Sequence, residues 1–319
     1  MKKTINQEEI SGWLYEHSLE LAEVKNEKSD NYGKEYIRGS ISVATDDEGL
    51  NVIPVYYTYV APTTKSNQPN RSFTELKKII ESGKTWVNDG KENATIVKLT
   101  PSAALNDFYP QGKDELVSTQ RSEGGFVTIL SSASSLPSND KHERNKFTFD
   151  ALITNVTRVE ADEEKGTDAY ARIRCGIFNF KNDILPFTLV ARKEDAINYF
   201  ENLGASAKEP VFLKVWGKIV STVVHQTKTE ESAFGEASVE TVNKTVREWV
   251  VTGASVEPYA YGDEKVITDE DVKKALADRE VHLAEIKKRS EDYYANRGTA
   301  TAAPTQSGDA SIPAGGFNF

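Results

Sequence analysis

Rings and positive charges alternate with small apolar side chains along three segments of this sequence. In residues 169–180, AYARIRCGIFNF, extended backbone sends Ala171, Ile173, Cys175 and Ile177 to one face. Tyr170, Arg172, Arg174, Gly176, Phe178 and Phe180 go to the other. Residues 211–220 repeat the pattern, with Val211, Leu213, Val215, Gly217 and Ile219 opposite Phe212, Lys214, Trp216 and Lys218. Arg247 and Trp249 share a face in a third segment. A face that meets water normally carries small polar or mixed-charge side chains, because exposed aromatics cost free energy. Rings set between cations suit unpaired nucleotides: each base stacks for about 1–3 kcal/mol while Lys and Arg meet phosphates. Stacking does not read base identity, so such a surface would be nearly blind to sequence. The same rings would also serve as a second core or as a subunit contact, and both readings stand at this level.

An earlier region carries a weaker version. In VIPVYYTYV, Tyr57 and Tyr59 lie on one face and Tyr56 on the other. Lys65 and Arg71 sit in the loop that follows, and Trp86 comes after Lys84 beyond a short helix. This is a second candidate surface or ordinary tyrosine-rich strand packing, since Tyr has high β propensity.

The elements that must hold these residues are mostly strands. Ile10, Trp13, Leu14, His17, Leu21 and Val24 recur at helical spacing and predict an N-terminal helix within residues 1–30. From residue 34 the period falls to two. EYIRGSISVAT, NVIPVYYTYVAP, ATIVKLT, LVSTQR and GFVTILSS read as strands, with a capped helix at Ser72 between the second and third. They predict a first β domain over residues 31–135. The Ser-rich stretch 131–143 reads as a linker. Residues 144–257 then predict strand, strand, strand, helix, strand, strand, which is the order of the five-stranded Greek-key barrel called the OB-fold. A helix over 265–297, opened by Thr268 and Asp271, and a disordered tail over 298–319 complete the chain. The fold class expected is therefore mainly β: two OB-like barrels with short helices, a helix at each end and a disordered C-terminal tail.

Other chemistries lack their residues. With 319 residues, 39 Lys and Arg against 49 Asp and Glu and a net charge of −10, the chain cannot coat duplex DNA by bulk charge, and any nucleic acid must meet a local cluster. One cysteine, Cys175, and four scattered histidines exclude a disulfide framework and the usual zinc spacings. Gly83-Lys84-Thr85 imitates a phosphate loop, but Lys78 stands where its first glycine belongs. The acidic runs Asp46-Asp47-Glu48 and Asp162-Glu163-Glu164 fall in turns beside glycine and read as solvated. No Ser lies in a G-x-S-x-G elbow. No cofactor, metal or enzymatic activity is expected, and no apolar run or leader points to a membrane or to secretion. A cytoplasmic setting is expected.

The segment 146–257 resembles a single-stranded DNA-binding protein domain of the bacterial and bacteriophage type. The resemblance rests on ALITNVTRVE, FTLVARKEDAINYFENL, PVFLKVWGKIVS and REWVVTGASVEP. It implies a non-catalytic protein that coats single-stranded DNA in replication or recombination. It also implies a tail whose tip, here Phe317-Asn318-Phe319, docks replication or recombination proteins. The chain departs from that type in its tandem β domains, its flanking helices and a tail whose one charge is Asp309. The divergence fits a viral origin, with the host cytoplasm as the setting, and leaves oligomerisation open. The competing class is a β-rich structural or assembly protein, a virion or scaffold component, whose aromatic faces are subunit contacts.

Overall fold

The computed structural model describes residues 4–138, 143–162, 168–230, 238–259 and 267–296. The chain is mainly β. Its first barrel is built from β1 (Asn6–His17), β3 (Glu35–Ala44), β4 (Val52–Val60), β5 (Ile96–Phe108) and β6 (Val117–Leu130), with a short β2 (Glu20–Glu23) added beside β3. Helices α1 (Arg71–Ser82) and α2 (Trp86–Asp89) lie between β4 and β5. β1 pairs with both β3 and β5, and a parallel contact of β4 with β6 closes the ring. The second barrel uses β7 (Asn145–Val159), β8 (Tyr170–Phe178), β9 (Ile184–Ala191), β10 (Val211–Glu230) and β11 (Ser238–Ala254), with α3 (Glu194–Asn202) after β9. There β7 pairs with β8 and β10, and β9 meets β11 in parallel at Val190 and Val250. In both rings the helix follows the third strand and the third strand runs parallel to the fifth, which is OB topology.

The predicted N-terminal helix is not present, because residues 6–17 are a strand. The reason is visible in Gly12. Glycine is poor in a helix interior, and here a Cβ would stand 1.9 Å from the Ala44 carbonyl oxygen, so two backbones meet. Ile10, Gly12 and Leu14 form a period-two inner face, while Trp13 on the other face is covered by Trp86 at 6.0 Å. This strand is the one the sequence reading lacked for a first five-stranded ring. LVSTQR and GFVTILSS, read as two strands, are one: Gly124 and Gly125, with φ of +67° and +81°, bend β6 without ending it.

The two barrels are joined by strand pairing. Residues Asn6–Ile10 of β1 run antiparallel to Phe149–Asn145 of β7, so one apolar core spans both rings. Side chains finish the seam. The Gln120 amide donates to the Thr188 carbonyl (3.0 Å) and accepts from the Thr188 N–H (3.2 Å), acting as a strand partner for β9. Asn51 accepts from the Ser221 N–H at 2.7 Å and donates to the Ile219 carbonyl at 3.2 Å. Helix α4 (Asp269–Asn296) then straps across. Val272, Ala275 and Leu276 cover Leu152, Phe178, Ile184 and Phe212 on the second barrel. Arg279 reaches Asp107 of the first at 3.2 Å, with both side chains nearly buried.

Glu8 of β1 is fully buried at this seam, where its Oε1 accepts the Trp249 indole N–H at 2.7 Å. Burial pushes its carboxyl up to about 7, outweighing the Ser122 hydroxyl, the indole N–H and the Arg247 charge. A carboxyl raised on folding lends stability below its unfolded value of 4.5 and loses it as pH climbs through about 7. Thermal or urea unfolding should therefore show stability falling by up to about 3 kcal/mol between pH 4.5 and 8 from this group, at 1.36 kcal/mol per unit. Glu8→Gln should flatten that slope. An unchanged slope in the variant would show that Glu8 does not titrate in this range.

Candidate nucleic-acid interface

In β8 the alternation holds: Ala171, Ile173, Cys175 and Ile177 are fully buried. On the outer face Arg172 and Arg174 are exposed and Tyr170 is half-buried. Tyr170 is clasped. The Arg172 guanidinium lies 5.6 Å from its ring centre and that of Arg192 lies 5.5 Å away, while Arg172 Nη2 donates to the phenol oxygen at 2.9 Å. Arg192 is oriented in turn by an ion pair with Glu248. Each cation–ring contact contributes roughly 0.5–1 kcal/mol at an exposed site. The clasp holds one ring and two guanidinium groups in place.

Four of the candidate residues on this barrel point elsewhere. Phe178 and Phe212 do lie on the outer face, but α4 covers them to 1% and 7% exposure, and Phe212 packs on Tyr259 at 5.1 Å. Local alternation reports which face a side chain takes, not what later segment lies on it. Arg247 and Trp249 share a face as expected, but it is the inner one. Trp249 packs edge-on against Phe187 at 4.8 Å, and Arg247 is buried beside it near Glu8. Buried polar partners let an Arg and an indole N–H enter the barrel, which a hydrophobicity pattern does not reveal.

Trp216, Lys214 and Lys218 lie outward on β10, a different wall from Tyr170. The Trp216 ring rests on Gly253, where a Cβ would come within 2.4 Å of it, and it keeps 41% of its surface in water. Lys214 and Lys218 are half-buried, and burial together with nearby Lys193 lowers the Lys218 ammonium pKa. Phe180 is 88% exposed in the tight turn after β8, where Asn179 Oδ1 accepts from the N–H groups of Lys181 and Asp183 at 2.8 and 3.0 Å. It stands at the far end of β8 from Tyr170, more than about 26 Å away along the strand at 3.3 Å per residue.

On the first barrel Tyr57 is 2% exposed and belongs to the core, so it is no stacking platform. Tyr59 is exposed and stacks on Tyr36, with ring centres 4.7 Å apart and planes at 28°. Lys65 is exposed in the loop before α1, and Arg71, expected in that loop, is exposed as the first residue of the helix. Trp86 closes the barrel's end against Trp13 and Tyr15, with Lys91 Nζ 5.5 Å from its ring, and has a packing role. Phe317 and Phe319 lie outside the described residues.

The structure adds residues the alternation did not single out, Tyr36, Arg38, Arg121 and Arg192, and gives Tyr56, read only as facing away from Tyr57, a cation over its ring. Tyr36-Ile37-Arg38 opens the second ring strand of the first barrel as Tyr170-Ala171-Arg172 opens that of the second. The repeated Tyr-x-Arg is the signal that would have found Tyr36 and Arg38; Arg121 and Arg192 carry no such mark. The two faces approach each other at the seam. Arg121, 5.4 Å over the Tyr56 ring and paired with Glu123 at 2.7 Å, follows the Gln120 that binds Thr188, and Thr188 lies opposite Arg174 on β8. No group of His, Cys, Asp and Glu able to hold a metal forms among the described residues, and no helix there is long and apolar enough to cross a membrane.

These burials separate core from surface. Phe178→Ala should cost about 3 kcal/mol or more in urea denaturation, the range for a large-to-small core change. Phe180→Ala should cost under about 0.5 kcal/mol. Equal costs would mean that α4 does not cover Phe178.

Solved structures similar to this chain include two of one protein. Both are of the single-stranded DNA-binding protein from Thermus aquaticus, one wild type and one a variant with a deletion and a point substitution. The variant is 11% identical at a TM-score of 0.47, covering 83% of this chain and 100% of that one. The wild type is 11% identical at 0.46, covering 83% and 98%. No curated protein matches the sequence. The YorF family matches residues 6–289, almost the whole described chain, and the protein is a member of that family.

Proposed function

We propose that this protein is a non-catalytic single-stranded DNA-binding protein that coats and protects exposed strands, in replication or recombination. The observation that carries the reading is the Tyr170 clasp on the outer face of the second ring strand, echoed by Tyr36 and Arg38 on the other barrel. OB barrels take oligonucleotides on that face. A base would stack on the Tyr170 ring while Arg172, Arg174 and Arg192 meet the flanking phosphates. On the first barrel Tyr59, supported by Tyr36, offers a second ring beside Arg38. The net charge of −10 disfavours loose contact with duplex.

The test is anisotropy of a labelled oligo-dT of about 8 nucleotides, within the 4–16 nucleotides an OB-fold takes. Wild type should bind it, and bind duplex more weakly. Affinity should fall with salt, because phosphate contacts release counterions. Tyr170→Ala with Arg172→Ala should weaken binding at least about tenfold, as expected for one lost stack of 1–3 kcal/mol and one lost phosphate contact. Full retention in that variant would remove the clasp from the site. Failure of wild type to bind at low salt would favour a structural or assembly role.

A further inference from the structure

The sheet crosses from one barrel to the other, and its outer face carries a pattern of its own. Along the seam the strands run β6, β5, β1, β7, β10, hydrogen-bonded side by side. The outward residues can be followed through the registers. Phe126 of β6 lies opposite Thr100 of β5. Lys98, also on β5, lies opposite Ser11 of β1, Lys146 of β7 opposite Glu9 of β1, and Lys218 of β10 opposite Lys146. Trp216 and Lys214 follow on β10, opposite Thr148 and Asp150. Five strands at about 4.8 Å spacing make this face about 19 Å wide.

Two rings stand bare on it, Phe126 at 69% and Trp216 at 41% exposure, each near one margin. Lys98 and Lys146 are exposed between them. In a chain of net charge −10, the outward carboxylates between the two rings are Glu9, 3.5 Å from Lys98, and Asp150. Asp150 is buried, accepting the Ile5 N–H at 2.8 Å and the Tyr259 hydroxyl at 2.9 Å, so it presents little charge to solvent. Lysines with bare rings at both margins complement a flexible polyanion with stacking faces. They oppose a second copy of the same positive face.

We propose that this seam-crossing face is a second single-strand track, distinct from the Tyr170 clasp and belonging to both barrels together. The inference rests on the reading of the protein as a single-strand binder. It places Trp216 and Lys214, which share no wall with Tyr170, on a path that a long strand reaches and a short one, held at the clasp, does not.

The experiment compares labelled oligo-dT of about 8 and about 35 nucleotides, the second exceeding what two OB-folds take at the high end of their range. The proteins are wild type, Phe126→Ala with Lys146→Glu, and Trp216→Phe. The first variant changes two exposed side chains. It should bind the short oligonucleotide within twofold of wild type and the long one at least tenfold more weakly, with a shallower salt slope for the long one. The part of the tryptophan fluorescence absent from Trp216→Phe should be quenched by the long oligonucleotide and not by the short. Equal effects on both lengths, no effect on either, or a face that proves by sedimentation to join two copies would overturn the track. Failure of wild type to bind even the short oligonucleotide overturns the clasp instead, so the two failures are told apart.

Discussion

The arrangement depends on one stretch of strand pairing, Asn6–Ile10 of β1 against Phe149–Asn145 of β7. β1 is the first strand of its own barrel and at the same time an extension of its neighbour's sheet. A two-barrel chain joined by a flexible linker would keep two independent cores and two independent surfaces. Here the backbone ladder, the Gln120–Thr188 pair and the common core remove that freedom. Both the approach of Arg121 to the β8 face and the continuous face from Phe126 to Trp216 follow from that register. A slip by one residue would turn Glu8 outward and Glu9 inward, exchanging every inner and outer side chain of β1.

Glu8 is the cost and the safeguard of that register. A buried carboxyl is a poor source of stability, since taking the charge out of water outweighs what its neighbours return. It is nonetheless specific. Only one register sets its oxygen 2.7 Å from the Trp249 nitrogen, and only one packing of β11 aims that nitrogen at β1. Asn51 and Gln120 work in the same way, each completing backbone groups of the other barrel. The seam therefore combines an apolar core, which favours contact in general, with polar pairs that select one contact.

Much of this was legible in the sequence, and the rest was hidden for definite reasons. Period-two alternation told inner from outer in β8 and β10 because each core face there is apolar and unbroken. It failed at Arg247 and Trp249, where buried polar partners allowed a cation and an indole into the core. It failed at residues 7–17, where a period-two face of Ile10, Gly12 and Leu14 coincides with i, i+4 spacing, and only Gly12 spoke against a helix. Phe178 and Phe212 were placed on the right face but given the wrong neighbour. Their cover, α4, lies tens of residues away, and its side chains give no local sign of what they will meet. The order of strands and the position of the helix were readable in the second barrel. The first barrel was readable only in part, because its opening strand had been read as something else.

The fate of the rings follows from what stands beside them. Phe178 and Phe212, with no cation over their faces among the described residues, are covered by an apolar helix face, as their surface demands. Trp249 carries a donor that must be satisfied, and β1 provides the acceptor. Tyr170 and Tyr56 keep guanidinium groups over their rings, while Tyr59 and Trp216 lie exposed on a Tyr ring and on a glycine. A ring with an exposed face and a cation nearby cannot be completed by more of the same protein without burying the charge, which is expensive unless it is paired. A partner with flat apolar faces joined by anionic links completes both at once. A cation alone is not enough to mark such a ring: Trp13 has Lys91 and Arg144 over it and is still covered by Trp86, so exposure and charge have to occur together.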